Sequence, residues 1–353
     1  MKSILEGTRQ VPYIFLSGLS FLGCVSSSSF EEKIKTEKRS NLGCQLPKTR
    51  YAWSKTQPPK LIWLSLDSLN EAGLSEIVGQ LKKPHPKGLK WLAQAANRNN
   101  SFKIHEPTIT ASSHISTITC STASTHGVFA NFHFVDGKIS SGFSAPFRTE
   151  TFATTLQKNG LNVVTGAYPA LDNSESGRMV NEGFTYSEAL GSGQTYSLKT
   201  GEPLKHVWRR GEDKTWAELS LSLPENALPS VECKDSQCWL EPSKIENIWD
   251  LTIVKEKQKL RSYIQKIEGK DSSVYIAPLT KNNAFPDEVS KKLDDCNFIF
   301  SPGQESSLAR WGAPTYIKGL EHRLSFFDSM WAYYLPSTHA DVIFLYLEDL
   351  DAL

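Results

Sequence analysis

Apolar and polar residues alternate along this chain in blocks that predict strands and helices in turn. From residue 58 onward, short runs that are apolar on both faces are typical of buried strands, and apolar residues at three- and four-residue spacing are typical of helices. The predicted strands are residues 60–66, 161–167, 274–278 and 341–347, and the predicted helices are residues 88–97, 114–120, 152–158 and 317–335. Strands that alternate with helices predict an α/β fold with a mainly parallel sheet covered on both sides.

This pattern weakens between residues 190 and 251. Gly, Pro, Ser and Trp are frequent there, so the strands of this stretch are expected to be short. We expect it to be a subregion inserted over one end of the sheet, within a domain that spans residues 58–353.

The first 24 residues have a different pattern. A basic start precedes residues 11–22, which are apolar but shorter than the ~20 residues that a spanning helix needs. This order is typical of a secretory signal peptide. Its Leu-Gly-Cys ending resembles a bacterial lipobox, with Cys24 as the lipidated first residue of the mature chain, although Phe21 stands where Leu is usual. Ordinary signal cleavage and an uncleaved anchor are the alternatives.

Residues 25–57 are rich in Ser and charge, and we expect them to form a flexible, solvated tether. The predicted location is therefore the cell envelope, with the chain exported and held to a bacterial membrane by its lipid. The sequence does not say which membrane face holds the anchor. The formal net charge of +1 favours no general attraction to nucleic acid, so no nucleic-acid polymer is expected as a partner.

Five cysteines follow the lipobox. Export allows disulfides. Cys233 and Cys238 flank a polar turn and are expected to close a small hairpin, and Cys44 with Cys296 is a second candidate pair, since sequence does not decide connectivity. Cys120 is expected to be a small buried residue.

The segment at residues 106–131, EPTITASSHISTITCSTASTHGVFAN, carries the candidate chemistry. Ligands of parallel α/β sheets bind at the carboxyl ends of strands, and Asp67 and Asp351 follow the first and last predicted core strands. Thr110 is expected close to the N-terminus of the helix predicted at residues 114–120, where free N–H groups favour an anion. This arrangement suits phosphoryl transfer, in which a metal-bound hydroxyl becomes a nucleophile and a second metal stabilises the leaving oxygen.

This order of parts resembles the type I phosphodiesterase/nucleotide pyrophosphatase family of the alkaline phosphatase superfamily. The resemblance covers residues 58–170 and, less closely, the last predicted strand. It implies that Asp67 in LIWLSLDSL binds zinc and that Thr110 in PTIT is the nucleophile and a metal contact. It also implies that Asn131 in HGVFAN contacts a phosphate oxygen and that Asp351 is a further metal ligand.

The resemblance further implies an alkaline-phosphatase-like three-layer α/β/α core and two divalent metal ions, namely Zn²⁺. The implied reaction is hydrolysis of a phosphodiester or nucleotide pyrophosphate bond in a small-molecule substrate through a phosphorylated Thr110. One alternative is a phosphonate or other phosphate-ester hydrolase of the same superfamily. The other alternative is a non-catalytic surface lipoprotein that retains the fold.

The sequence departs from the family at three places. Ser112 and Ser113 stand where Pro-Asn is usual, and Cys120 stands where Gly is usual. The family's Gly-His after Asp351 and its later zinc ligands do not occur, while a catalytic zinc takes at least three protein ligands. We therefore interpret the chain as the N-terminal part of such an enzyme, and expect this polypeptide to hold much less than two zinc ions and to show negligible turnover.

The remaining candidate side chains have structural interpretations. His114 and His126 are expected to hydrogen-bond the backbone near the loop rather than to act in catalysis. His322 and His339 are expected at the surface. For Tyr168 and the Pro after it, a place near a nucleotide base and core packing remain equally good interpretations.

Overall fold

The structure is a computed structural model. It describes residues 13–17, 58–67, 108–135, 138–143, 145–146, 148–185, 190–198, 202–210, 214–223, 229–267, 273–296 and 312–347. The strands are β1 Tyr13–Ser17, β2 Leu61–Leu66, β3 Phe132–Val135, β4 Lys138–Ser141, β5 Val163–Gly166, β6 Glu182–Phe184, β7 Gln194–Ser197, β8 Leu204–Arg210, β9 Lys214–Ser222, β10 Ser230–Cys233, β11 Gln237–Pro242, β12 Ile248–Lys255, β13 Gln258–Lys266, β14 Ser273–Ile276, β15 Thr280–Lys281, β16 Ala284–Phe285 and β17 Val342–Leu347.

The α-helices are α1 Thr110–Thr119, α2 Ala123–His126, α3 Phe152–Lys158, α4 Asp287–Asp295, α5 Ala313–Ser329 and α6 Leu335–Ser337. A 3₁₀ turn forms at Ser176–Arg178, and a π-helical turn at Met330–Tyr334 joins α5 to α6. The chain divides into two compact units. Unit 1 contains the described residues up to Thr185 and those from Thr338 onward, and unit 2 contains those between Tyr186 and Ser337.

Unit 1 is built on a parallel sheet in which the strands lie in the order β1-β2-β17-β5-β6. The predicted strands at residues 60–66, 161–167 and 341–347 are confirmed as β2, β5 and β17. All six residues of β17 are buried, and this strand pairs with β2 on one side and β5 on the other. Strand β17 therefore lies inside the sheet and not at its edge.

Asp341 holds the amino ends of these strands together. Its carbonyl oxygen accepts from the N–H of Lys60 at 2.7 Å, and its carboxylate accepts from the N–H of Asn162 at 2.9 Å. The Asn162 N–H and the Lys60 ammonium keep the pKa of Asp341 below its ordinary value. At the opposite edge the N–H of Asp67 donates to the carbonyl of Leu347 at 2.9 Å, so β2 and β17 end side by side.

Strand β1 lies within the segment that the sequence predicts to be a signal peptide. It pairs parallel to β2 in the register Tyr13↔Leu61 to Ser17↔Ser65. Cleavage of residues 1–24 as a signal peptide stays a prediction. Such cleavage would remove β1 and make β2 an edge strand of the sheet. Cys24 and the predicted tether at residues 25–57 lie outside the described residues.

Unit 2 is antiparallel and has its own core. Its sheets run β10-β9-β8 and β11-β12-β13-β14-β7, and one buried cluster of unit 2 includes Trp208, Leu251 and Ile264. The strand predicted at residues 274–278 is β14, which pairs antiparallel with β13 and β7. The molecule is thus α/β, as predicted, but rich in strands and with both parallel and antiparallel sheets, so the expectation of one mainly parallel sheet is corrected. The weakly patterned stretch at residues 190–251 lies in unit 2, where β9 is nine residues long rather than short.

Helix prediction was accurate for α3 and approximate elsewhere. The predicted helix at residues 317–335 corresponds to α5 with the π-helical turn, and that at residues 88–97 lies outside the described residues. Helix α1 begins at Thr110, four residues before the predicted start. Its hydroxyl groups bond back to the preceding turn: Ser113 Oγ donates to the carbonyl of Ile109 at 2.7 Å, and Thr117 Oγ1 to that of Ser113 at 2.8 Å. Among the described residues, no helix has the length and apolar character needed to cross a membrane.

Two predictions about cysteines have different outcomes. The disulfide between Cys233 and Cys238 is confirmed, and Cys296 also takes part in a disulfide. Cys44 lies outside the described residues. Cys120 is exposed and carries a free thiol, so its predicted burial is wrong. It is the C-cap of α1 in the left-handed conformation, with φ 51°, which explains why a Gly would suit this position.

Cys120→Gly should raise the free energy of unfolding by about 0.5–1 kcal/mol, because the left-handed conformation costs a side chain about 1–2 kcal/mol and Gly's greater unfolded-state entropy offsets part of this. Urea unfolding of the full chain checks it. Cys120→Ser is the control and should stay within about 0.5 kcal/mol of the parent. A Gly variant no more stable than the Ser variant would contradict the argument.

Candidate functional site

The N-terminus of α1 lies at the edge where β2 and β17 end. The helix starts at Thr110, and its inner face packs Ala111 and Ile115 into a buried cluster with Val128, Ala145 and Ala170. Its N-cap residue supplies no side-chain hydrogen bond. The first N–H groups of a helix have no partner within the helix, so this end is suited to an anion.

Two of the predicted site residues meet here. Thr110 Oγ1 donates to Asp67 Oδ2 at 3.2 Å, although the residues are 43 positions apart. Thr110 and Asp67 are both half-buried, so the pair is reached from solvent. The fold thus brings this hydroxyl and this carboxylate together. Asp351 lies outside the described residues, so its predicted place beside them stays a prediction.

A third predicted residue, Asn131, braces the same helix end. Its Oδ1 accepts from the N–H of Ala111 at 2.8 Å, and its carbonyl oxygen accepts from the N–H of Gly142 at 2.6 Å. A Cβ on Gly142 would lie 2.0 Å from the carbonyl oxygen of Ala130, so only glycine allows this close approach. Oδ1 is thus engaged as an acceptor, and the NH₂ group of Asn131 is the donor that the amide can offer to a ligand.

Tyr346 is a site residue that the sequence analysis missed. It lies on β17, is 2% exposed, and its hydroxyl donates to Asp67 Oδ2 at 2.5 Å. The same carboxylate oxygen thus accepts from Tyr346 and Thr110. The sequence signal that could have found it is a hydroxyl-bearing residue near the end of an otherwise apolar strand, since a buried Tyr hydroxyl usually has a hydrogen-bond partner.

His114 fastens α1 to the sheet. Its Nδ1–H donates to the carbonyl of Thr110 at 2.7 Å, which leaves Nε2 to accept from the hydroxyl of Ser65 at 2.9 Å. The ring packs edge-on against Tyr346 and Tyr168, with centroids 4.8 and 5.8 Å away. Burial lowers the pKa of His114, so the neutral ring is favoured. These contacts give His114 a structural role in fixing the Thr110 backbone.

Tyr168 itself is 2% exposed and packs against His114 and Phe344, with ring centroids 5.8 Å from each. Of the two interpretations that the sequence left open for it, core packing is the one that this geometry supports.

His126 is fully buried and contacts Ser116, near the C-terminal end of α1. Its Nδ1 accepts from the N–H of Val128 at 3.2 Å, which places the proton on Nε2, 2.9 Å from Ser116 Oγ. Burial lowers its pKa too.

The two remaining histidines differ from each other. His339 is exposed, as predicted. His322 in unit 2 is 7% exposed and its Nε2 lies 2.7 Å from Asp250 Oδ1, so the prediction of a surface position for it is wrong. His322 lies on α5, and no local pattern indicates its partner Asp250, which is 72 positions away.

Comparison with known proteins adds no family assignment. No protein-family model matches the chain, and neither a curated protein nor a solved structure matches it. The geometry of Asp67, Thr110 and Asn131 therefore carries the functional interpretation.

His126→Asn tests the neutral buried imidazole. At pH 7.5 the parent should be more stable by about 1–3 kcal/mol, because the variant loses a buried hydrogen bond. A lowered folded-state pKa means that the unfolded chain binds more protons, so the contribution is complete above pH ~6.5 and is lost as the pH falls below it. The difference in free energy of unfolding between parent and variant should therefore shrink from pH 7 to pH 5.

Chemical denaturation across this pH range measures the difference, with the exposed His339→Asn as the matched control. The control should differ little from the parent at every pH. A gap for His126→Asn that stayed constant or widened in acid would contradict a buried neutral ring.

Proposed function

We propose that this chain carries the phosphoryl-transfer site of a hydrolase of the type I phosphodiesterase/nucleotide pyrophosphatase kind, which cleaves phosphodiester or nucleotide pyrophosphate bonds with Thr110 as nucleophile. The observation that supports this most directly is the 3.2 Å contact between Thr110 Oγ1 and Asp67 Oδ2 at the start of α1. Asp67 and Thr110 are the metal ligand and the nucleophile that the family resemblance implies, and the fold brings their side chains together although they lie 43 positions apart.

The geometry supports the following reaction. Thr110 Oγ1 attacks phosphorus as its proton passes to Asp67 Oδ2, the new Oγ–P bond forms, and the bond from phosphorus to the leaving oxygen breaks. The N–H groups at the start of α1, apart from that of Ala111, which Asn131 already engages, would face the non-bridging oxygens. The NH₂ group of Asn131 donates to one of them. Water then hydrolyses the phosphorylated Thr110.

The two zinc ions implied by the family resemblance fit this site in part. Asp67 and Thr110 offer two oxygen donors, whereas a catalytic zinc takes at least three protein ligands. Among the described residues there is no group of three His, Cys, Asp or Glu side chains that could hold a metal. Asp67 and Thr110 would form one side of a metal site. A bound cation would supply Lewis acidity and favour the ionised hydroxyl; the steps above are those of the chain's own residues.

Further features belong to the same proposal. The parallel sheet of unit 1 would be the core of an alkaline-phosphatase-like three-layer α/β/α sandwich. The disulfide between Cys233 and Cys238 supports export to an oxidising compartment, in line with the lipid anchor proposed at Cys24. Phosphonate or other phosphate esters are alternative substrates for the same nucleophile.

A second candidate function is a non-catalytic surface lipoprotein. The observation that favours it is that Asp67 Oδ2 accepts from both Tyr346 and Thr110. A carboxylate satisfied by two hydroxyl groups can serve as a structural link between strand and helix without any metal or substrate.

Covalent labelling separates these functions. The purified chain is incubated with zinc and bis(4-nitrophenyl) phosphate, quenched in acid and digested, and the peptide that contains Thr110 is examined by mass spectrometry. Thr110 should carry a nitrophenyl phosphate, with one nitrophenolate released per label. Thr110→Ala should abolish the label, and Asp67→Asn should slow labelling by about 10²-fold or more, as expected for loss of a proton acceptor.

Thr119→Ala is the matched control, since Thr119 is the last residue of the same helix and its hydroxyl bonds to Ile115 within the helix and to Ser121 just after it. It should label at the parent rate. The proposed nucleophile would be refuted if label persisted in Thr110→Ala. It would also be refuted if the folded parent, supplied with zinc, stayed unlabelled, and the non-catalytic function would then remain. Nitrophenyl phosphonate and sulfate esters are tested in parallel, and the rates of nitrophenolate release show which class of ester is cleaved fastest.

Tyr346→Phe should slow the labelling of Thr110 about tenfold without lowering its final extent, because the ring stays and only the hydrogen bond that orients Asp67 is lost. The time course of labelling measures both quantities. An unchanged rate would mean that Tyr346 does not position Asp67, and a lowered final extent would indicate a loss of folded protein instead.

A further inference from the structure

A hairpin of exposed apolar side chains follows Asn131 directly. Strands β3 and β4 form a two-stranded sheet of their own. On it Phe132 is 69% exposed, Phe134 77% and Ile139 69%, and Phe129 just before it is 55% exposed. Single exposed apolar residues are ordinary, but a group of four on one short segment indicates an interaction surface.

Three of these side chains share one face. Phe132 and Phe134 are two positions apart on β3, so they point the same way, and Phe134 pairs directly with Ile139 across the hairpin. Their exposure shows that they add little to the core of unit 1. We call Phe129, Phe132, Phe134 and Ile139 the apolar hairpin face.

We propose that the apolar hairpin face docks into the interfacial region of a lipid bilayer. Side chains with this exposure project from the hairpin, and a fluid bilayer accepts such a projection without a complementary shape. Insertion of exposed aromatic rings into this interfacial region is favourable, because their apolar surface is removed from water.

The charge pattern agrees with a membrane as the occupant. In the sequence between Glu106 and Glu150, Asp136 is the single acidic residue, while Lys138 and Arg148 are basic. This segment would therefore not be repelled by anionic headgroups. The lipid anchor predicted at Cys24 is a separate reason to expect a membrane within reach, since a tether raises the local concentration of the surface to which it is attached.

Docking would set the depth of the candidate site. The base of the hairpin is tied to α1 through Asn131, which bonds the N–H groups of both Ala111 and Gly142. In combination with the proposed function, on which this consequence rests, Thr110 would be held near the headgroup layer, where lipid phosphodiesters are the accessible substrates.

A local fluorescent probe tests docking without interference from the N-terminal segment. In the full chain with Cys24→Ser and Cys120→Ser, Ile139→Cys is labelled with the polarity-sensitive dye NBD, and the chain without the added cysteine gives the background. Vesicles of phosphatidylcholine with a minority of phosphatidylglycerol should shift the emission to shorter wavelength and raise it about threefold or more, and brominated acyl chains should quench it. The matched control is Ile317→Cys, another exposed Ile, which should show neither change.

Adding Phe132→Ser and Phe134→Ser should remove most of the NBD response, with thermal melting to show that the variant is folded. An unresponsive Ile139 probe, or an equal response at Ile317, would overturn the proposal. So would a response that needs no vesicles and grows with protein concentration, since it would mean that a second copy covers the face. Vesicle binding does not depend on covalent labelling of Thr110, so docking and catalysis fail or succeed separately.

Discussion

The hydrogen bond from Thr110 to Asp67 depends on the alignment of two neighbouring parallel strands. Strands β2 and β17 end together, with Leu66 opposite Leu347, so Asp67 and Tyr346 emerge at the same edge. A shift of one residue in this register would turn the Tyr346 side chain to the other face of the sheet and separate it from Asp67. The site is thus positioned by backbone pairing within the sheet.

The N-terminal end of α1 is also held by more than one contact. His114 ties α1 to Ser65 on β2, and Asn131 bonds its first turn from the opposite direction. Each of these contacts uses a neutral group, so no buried charge has to be stabilised to hold Thr110 in place. Asp67 is the one acidic group in this set, and two hydroxyl groups satisfy it.

The sequence predicted the elements of unit 1 well because their signals are local. Apolar runs located β2, β5 and β17, and the family resemblance pointed to Asp67, Thr110 and Asn131, three residues that the fold brings to the start of α1. The start of α1 was missed because Ser and Thr are poor helix formers by propensity, and their back-bonding to the preceding turn becomes visible only in three dimensions. The direction of β14 could not be inferred, because a buried run looks the same in a parallel and an antiparallel sheet.

Long-range partners were the other gap. The contact between Tyr346 and Asp67 spans 279 positions, and that between His322 and Asp250 spans 72. No periodicity within a window of sequence encodes such a pairing. The sequence likewise suggested an insertion, but the nine-residue strands β9 and β13 and the separate core of unit 2 come from pairings among segments with weak individual patterns.

The central position of β17 has a consequence for biosynthesis. Strands β2 and β5 are not neighbours; each is bonded to β17, which the ribosome makes only after all of unit 2. Until then the nascent N-terminal region has a gap in the middle of its sheet, and the apolar edges of β2 and β5 wait for a partner. Unit 2, with its shorter-range antiparallel pairs, can complete its structure first. The growing chain therefore faces its greatest risk of aggregation during that interval, when a chaperone would be most useful.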